Sequence, residues 1–285
     1  MSHTLDAVRM LVTEVHAEES TAEIAVWTIT VAAVVYIGTL ALDRRYRNRD
    51  GRGSSVVLGS GVTRVTMLLA VFALLAVQVH FAGWLTGADA PTLDWFVQHR
   101  SPGWTTAATY VTKAGGPVAT VVVAVVSAVV LSMRSRSLLP GAVLVGTVGA
   151  AAAASTVVKT VVERPRPAPA TQLLTETDFS FPSGHVTGTV ALVGALVVVL
   201  GAGHRPLIRS VMACAAGVFA ATVAVTRMYL GVHYLTDVFG GALLGTAAVV
   251  AGSIVATTLA KRRTPAGGDD GVPVRVGEAV SPTAA

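Results

Sequence analysis

Three short segments gather residue types that are costly in an otherwise apolar chain. "KTVVERPRP" supplies Lys159, Arg164 and Arg166, "FPSGH" supplies Ser183, Gly184 and His185, and "TRMYLGVHYLTD" supplies Arg227, His233 and Asp237. Three or more cations converging on one spot suit an anion with several oxygens, phosphate above all. A helix opening at Ser183 and Gly184 adds backbone N–H groups and the positive end of its dipole. Gly184 has no side chain and lets the backbone come close to such an anion. His233 and Asp237 share a helical face if a helix begins there, because they stand four residues apart. A carboxylate so placed holds one imidazole nitrogen protonated and leaves the other free to attack. His185 then supplies a proton for a leaving oxygen. A nucleophile, an acid and a phosphate clamp are all present.

The elements that must position these groups are read from composition. The chain has 285 residues, 53% hydrophobic and 13% charged, and a mean hydropathy of +0.66. A soluble domain carries about 25% charged residues, so this balance points to a bilayer. Crossing about 30 Å of hydrocarbon takes about 20 apolar residues, and seven runs qualify: 24–42, 63–86, 105–132, 138–161, 184–203, 207–226 and 235–260. Backbone groups in lipid must be satisfied within each segment, so the runs are expected to be helices. The fold class is an all-α polytopic membrane bundle.

Charge fixes the expected orientation. Arg44, Arg45, Arg47, Arg49 and Arg52 follow the first run, Arg134 and Arg136 the third, Arg205 and Arg209 the fifth, and Lys261, Arg262 and Arg263 the seventh. In a seven-span layout these loops share one side, which the positive-inside rule makes cytoplasmic. The three chemistry-bearing segments then face the extracytoplasmic side of a cell membrane. Residues 1–23 form an acidic extracytoplasmic segment without the pattern of a cleavable signal peptide. Residues 24–62 add a span and a basic loop, 63–260 form a six-span core, and 261–285 read as a disordered cytoplasmic tail.

Other features carry less. Cys214 is the single cysteine, so no disulfide forms within one chain, and an apolar run makes its thiol inert. A net charge of +5 is explained by arginines beside spans, and no nucleic-acid partner is expected. A zinc site of His185, His233 and Asp237 is a rival, but Lys159, Arg166 and Arg227 around it would repel a cation. Trp95, Phe96 and Trp104, around "PTLDWFVQHR", read as an interfacial aromatic belt. Nothing in the sequence specifies a protein partner.

The three segments closely resemble the signature motifs of the type 2 phosphatidic acid phosphatase superfamily, in its integral-membrane bacterial branch. K-x6-R-P is met by Lys159, Arg166 and Pro167, P-S-G-H by Pro182 through His185, and S-R-x5-H-x3-D by Arg227, His233 and Asp237. Thr226 departs from that pattern, standing where it prefers Ser. The resemblance implies that His233 attacks phosphorus, that Asp237 orients it and that His185 is the general acid. It implies that Lys159, Arg166, Ser183, Gly184 and Arg227 hold the phosphoryl oxygens, and that no metal or other cofactor is needed. It also implies a six-helix core, to which 24–42 would be an addition.

The reading that follows is a membrane-embedded lipid phosphatase. The alternative is a transporter or binding protein for anionic lipid or phosphate, which needs no nucleophile or acid. Phosphatidate, phosphatidylglycerol phosphate and undecaprenyl diphosphate all present suitable head groups. Arg164 beside Arg166, if it serves a second phosphate, favours a diphosphate; the alternative for Arg164 is a solvated loop charge.

Overall fold

The structure is a computed structural model that describes residues 34, 36–40 and 53–263. The acidic segment 1–23, the first predicted span apart from residues 34 and 36–40, the arginines of the first basic loop and the tail from residue 264 lie outside the described residues.

The described core is helical, in the order α1 (Gly53–His80), a 3-10 turn (Trp84–Ala88), α2 (Asp89–Gln98), α3 (Pro102–Ala114), α4 (Pro117–Ser135), α5 (Leu139–Val162), a 3-10 turn (Pro169–Thr171), α6 (Gly184–Leu200), α7 (Pro206–Tyr229) and α8 (Leu235–Arg263). Five stretches are long and apolar enough to cross a membrane: Leu58–His80, Pro117–Ser135, Leu139–Val162, Pro206–Tyr229 and Leu235–Ala260. The apolar α6 has 17 residues, the lower end of what spans a bilayer. An all-α membrane bundle is therefore what the chain forms.

The predicted third span, 105–132, is two helices. The chain breaks at Gly115 and Gly116, and Pro117 opens α4 at a position where its missing N–H costs nothing. A side chain at Gly115 would drive its Cβ to 2.6 Å from Val223 Cγ2, so α3 meets α7 there through bare backbone. α3 runs along the last turns of α7: Thr105 hydrogen-bonds Tyr229 and Thr112 hydrogen-bonds Arg227. The membrane-crossing part of the predicted span is α4 alone.

Small residues let the central helices approach. Ala124, Ala128, Ala151, Ala191 and Ala195 pack with Leu144, Val148 and Leu192 between α4, α5 and α6, as expected where no hydrophobic driving force separates helix from lipid. α6 and α8 meet closely at the site end, where a Cβ on Gly241 would lie 2.7 Å from the Ser183 carbonyl oxygen. Phe181, fully buried, stacks on Phe72 of α1 and joins Leu75, Val79 and Leu244. Outward faces are apolar: Val118, Val122, Val126 and Val129 on α4, and Val211, Val218 and Val225 on α7, are exposed as lipid-facing residues would be.

Candidate active site

Four helix ends and two loops meet at one end of the bundle. The C-termini of α5 and α7 and the N-termini of α6 and α8 carry Lys159, Arg227, Gly184, His185 and Asp237, and the adjoining loops carry Arg166, Ser183 and His233. His80, at the end of α1, lies 3.5 Å from the Val162 carbonyl oxygen and marks the same end. Arg134 and Arg136 at the end of α4, Arg205 and Arg209 at the start of α7, and Lys261–Arg263 closing α8 belong to the opposite end. The polarity of charge expected from sequence is thus built into the connectivity.

His233 stands in the turn between α7 and α8, and that turn is held from three sides. Gly231 takes φ 72, and a Cβ there would lie 2.1 Å from the Thr171 carbonyl oxygen, so neither the conformation nor the space admits a side chain. Arg100 donates to the carbonyls of Tyr229 (3.0 Å) and Thr171 (2.8 Å). Arg166 Nη1 donates to the Val232 carbonyl at 2.7 Å. The imidazole, 1% exposed, is held at both nitrogens. Nδ1 lies 3.4 Å from Asp237 Oδ2, and Nε2 accepts from Arg166 Nη1 at 3.2 Å. This tautomer keeps the proton on Nδ1 and a lone pair on Nε2. Burial lowers the His233 pKa to about 4, against the raising effect of Asp237; the ring is therefore neutral at pH 7 and nucleophilic at Nε2.

Asp237 is fully buried and makes more bonds than its motif role requires. Its Oδ2 accepts from the Ser180 hydroxyl and from the Tyr234 backbone N–H, the latter at 2.8 Å. Its Oδ1 accepts from Arg164 Nη1 at 2.6 Å. Arg164 Nη2 reaches Asp89 Oδ2 at 2.6 Å, and its guanidinium carbon lies 4.3 Å from the centroid of the Tyr234 ring. Asp89, in turn, accepts from the Thr236 N–H (2.9 Å) and hydroxyl (2.7 Å) at the start of α8. Burial of Arg164 opposes its charge, but Asp237 and Asp89 outweigh it and raise the pKa. Arg164 is neither a solvated loop charge nor part of the clamp. It is a strut, and the ground for a second phosphate site lapses.

The clamp lies on the other side of His233. Arg227, 1% exposed, donates from Nη1 to His185 Nε2 at 3.3 Å and to the Thr112 hydroxyl at 3.0 Å. Its Nη2 pairs with Glu176. Lys159 pairs with Asp178 Oδ2 at 3.1 Å and donates to the Phe179 carbonyl. Arg166 holds the other Asp178 oxygen and donates to the Asp178 backbone carbonyl at 2.7 Å. Ser183 precedes α6, whose first turn has no side-chain cap; the helix presents free N–H groups at this point. A Cβ on Gly184 would sit 3.9 Å from Lys159 Cε and 4.0 Å from Ser155 Oγ, so Gly184 leaves open the space in front of Lys159. The buried polar side-chain atoms without a hydrogen-bond partner among the described residues are Ser155 Oγ, Ser183 Oγ, Arg227 Nε and Gln78 Oε1. Three of the four belong to residues of this clamp or beside it, and buried polar atoms of this kind suit an oxyanion site.

All eight expected residues come together. Thr226 keeps its hydroxyl on the Val223 carbonyl of its own helix at 2.7 Å, away from the clamp. His185, His233 and Asp237 do not converge as a ligand set; no group of three or more His, Cys, Asp or Glu residues suited to a metal ion occurs among the described residues. Sequence reasoning missed Asp89, Ser155, Glu176, Asp178 and Ser180. The two acids of "TETD" beside a basic motif were a visible signal; Asp89 and Ser155 had none, being ordinary polar residues until the fold buries them.

The geometry has relatives. Residues 140–261 match the model of the PAP2 superfamily. Phosphatidylglycerophosphatase B of Bacillus subtilis (strain 168) is 42% identical over 94 residues, which are 31% of this chain and 44% of that protein; the match thus spans less than half the length of this curated relative. The crystal structure of a transmembrane PAP2 type phosphatidylglycerolphosphate phosphatase from Bacillus subtilis superposes with a TM-score of 0.62 at 26% identity, covering 70% of this chain and 98% of that one. Every motif residue from Lys159 to Asp237 falls inside the matched stretch, and the bundle that presents them is shared. Over residues 140–261 this chain is therefore similar to the PAP2 superfamily, and its bundle has the fold of that transmembrane phosphatase.

Proposed function

We propose that this protein is a membrane-embedded lipid phosphatase working through a phosphohistidine. The observation that carries the reading is the setting of His233, whose Nε2 lone pair faces Arg166 while Nδ1 faces buried Asp237. In the proposed reaction Nε2 attacks phosphorus and the bond to the leaving oxygen breaks. Lys159, Arg166, Arg227 and the first turn of α6 hold the remaining oxygens. His185, next to Arg227 and on the first turn of α6, takes up a proton in the bound complex, where the phosphate dianion stabilises the imidazolium, and delivers it to the leaving oxygen. It then takes one from the water that hydrolyses the phosphohistidine. The positive charge of the clamp comes from side chains, so no metal is required.

A pure anion binder or transporter would need the clamp but not the buried His233–Asp237 pair, which favours catalysis. The relatives' names make phosphatidylglycerol phosphate the first substrate to test, ahead of a polyprenyl diphosphate, since Arg164 is spent on Asp89 and Asp237. The test is phosphate release by purified protein from a panel of lipid mono- and diphosphates in one detergent, with trapping of an acid-labile, base-stable phosphoprotein. Release with a phosphoprotein that disappears in His233→Gln supports the reading; binding without release supports the transporter.

The site is proposed to face the extracytoplasmic side, because the basic loops close the opposite end of the bundle. A cysteine at exposed Thr177, in a Cys214→Ala background, should react with an impermeant maleimide added outside intact cells, and one at exposed Ser135 should not. The reverse labelling would invert the orientation.

A further inference from the structure

We propose that Glu176 and Asp178 are exchangeable counter-ions of the clamp, and that a substrate phosphate binds by displacing both, which makes the site selective for a doubly charged terminal phosphate over a phosphodiester. This rests on the phosphatase reading and adds a specificity device to it. The cations are fixed and buried: Arg227, Arg166 and Lys159 side chains are 1%, 8% and 10% exposed. The carboxylates are on a surface segment without regular structure, and their side chains are 25% exposed at Glu176 and 54% at Asp178. Asp178 bridges Lys159 and Arg166 with its two oxygens, and Glu176 covers Arg227. Three carboxylate oxygens, both of Asp178 and Oε1 of Glu176, therefore sit on donors that the proposed reaction assigns to phosphoryl oxygens.

Burial raises the pKa of both acids, but Arg227 on Glu176, and Arg166 with Lys159 on Asp178, outweigh it and hold both below the ordinary carboxylate value. Two full negative charges thus offset two of the clamp's three positive charges at neutral pH. A terminal phosphate carries close to two charges and replaces both carboxylates without leaving a buried cation bare. A phosphodiester carries one and would strand a buried cation, which costs several kcal/mol. In a bilayer rich in diester head groups, this keeps the clamp from filling with bulk lipid.

The test compares wild type with Glu176→Gln, Asp178→Asn and the double variant, all purified in the same detergent. Gln and Asn still accept from the arginines, so packing is preserved while the competing charge is removed. Binding of orthophosphate is measured by calorimetry in a His233→Gln background, which needs no turnover, and inhibition by phosphatidylglycerol is measured in the active background. Orthophosphate affinity should rise about tenfold per charge removed, the worth of one freed charge-assisted bond, and phosphatidylglycerol should become an inhibitor. Asp178→Glu should bind as wild type does. Unchanged or weaker orthophosphate binding in the neutral variants, with unchanged melting temperatures, would overturn the proposal. Failure of the phosphatase reading shows separately, as wild type releasing no phosphate from any lipid.

Discussion

Arg164 and Arg166 stand two residues apart and serve two regions of charge that differ in kind. Around Arg164 the groups close on one another: Asp89, Asp237, Thr236 and Ser180 are all buried, and each carboxylate oxygen has a donor inside the protein. Around Arg166, Lys159 and Arg227 the cations are equally buried, but the anions facing them come from a surface segment, and three polar atoms nearby have no partner among the described residues. A buried ion pair whose members are both locked positions a neighbour, here His233 through Asp237. A buried cation whose anion can leave binds a ligand.

The first way to break this comparison is at the residue between the two regions. His233→Gln should lower kcat by at least about four powers of ten, because no other group supplies the attacking lone pair; single-turnover phosphate release checks it. Retained turnover above a hundredth of wild type would remove His233 from the chemistry.

The two arginines should then separate. Arg166→Ala should lower kcat/KM by about 10²–10³, as loss of one oxyanion donor does, with a smaller fall in melting temperature than Arg164→Ala, because it loses the bond to the Val232 carbonyl but strands no buried carboxylate. Arg164→Ala strands two buried carboxylates, Asp89 and Asp237, and should destabilise the fold by about 3–5 kcal/mol, read as a fall in thermal midpoint in detergent. Equal behaviour of the two variants would dissolve the distinction between strut and clamp.

Smaller effects sharpen it. Gly184→Ala adds a methyl 3.9 Å from Lys159 Cε without a steric clash. It should weaken orthophosphate binding about tenfold, the scale of one lost charge-assisted bond, at unchanged stability. The smallest effect concerns pH. The lowered His233 pKa of about 4 means that the ring stays neutral well below 6.5, so the limb of kcat/KM due to this base should fall only as pH drops through about 4. The same sign holds for stability: the unfolded ring takes up a proton near 6.5 and the folded ring does not, so this contribution is present above 6.5 and is lost as pH falls toward 4. A limb at 6.5 that tracks His233 would mean that the imidazole is solvated.

The sequence by itself determined the membrane class and most of the long helices of the described core, and it singled out the eight motif residues. Low charge density and apolar runs of bilayer length are properties of composition and order, and the chemistry of Lys159, Arg166, Arg227, His185, His233 and Asp237 is set by residue type and local spacing. Even the site's grouping at one end was legible, because each span reverses direction. The break at Gly115 and Gly116 was hidden, since apolar composition continues through it and only the approach of Val223 requires bare backbone there. The division between Arg164 and Arg166 was equally invisible: two arginines in "RPR" are alike until one is folded over Tyr234 toward Asp89, a partner 75 residues away in sequence. Glu176 and Asp178 were plain in the sequence as acids, but their place on the clamp depends on which cations the loop reaches. Burial and long-range pairing decide whether a charge is a strut, a ligand site or a counter-ion, and those depend on tertiary contact rather than local pattern.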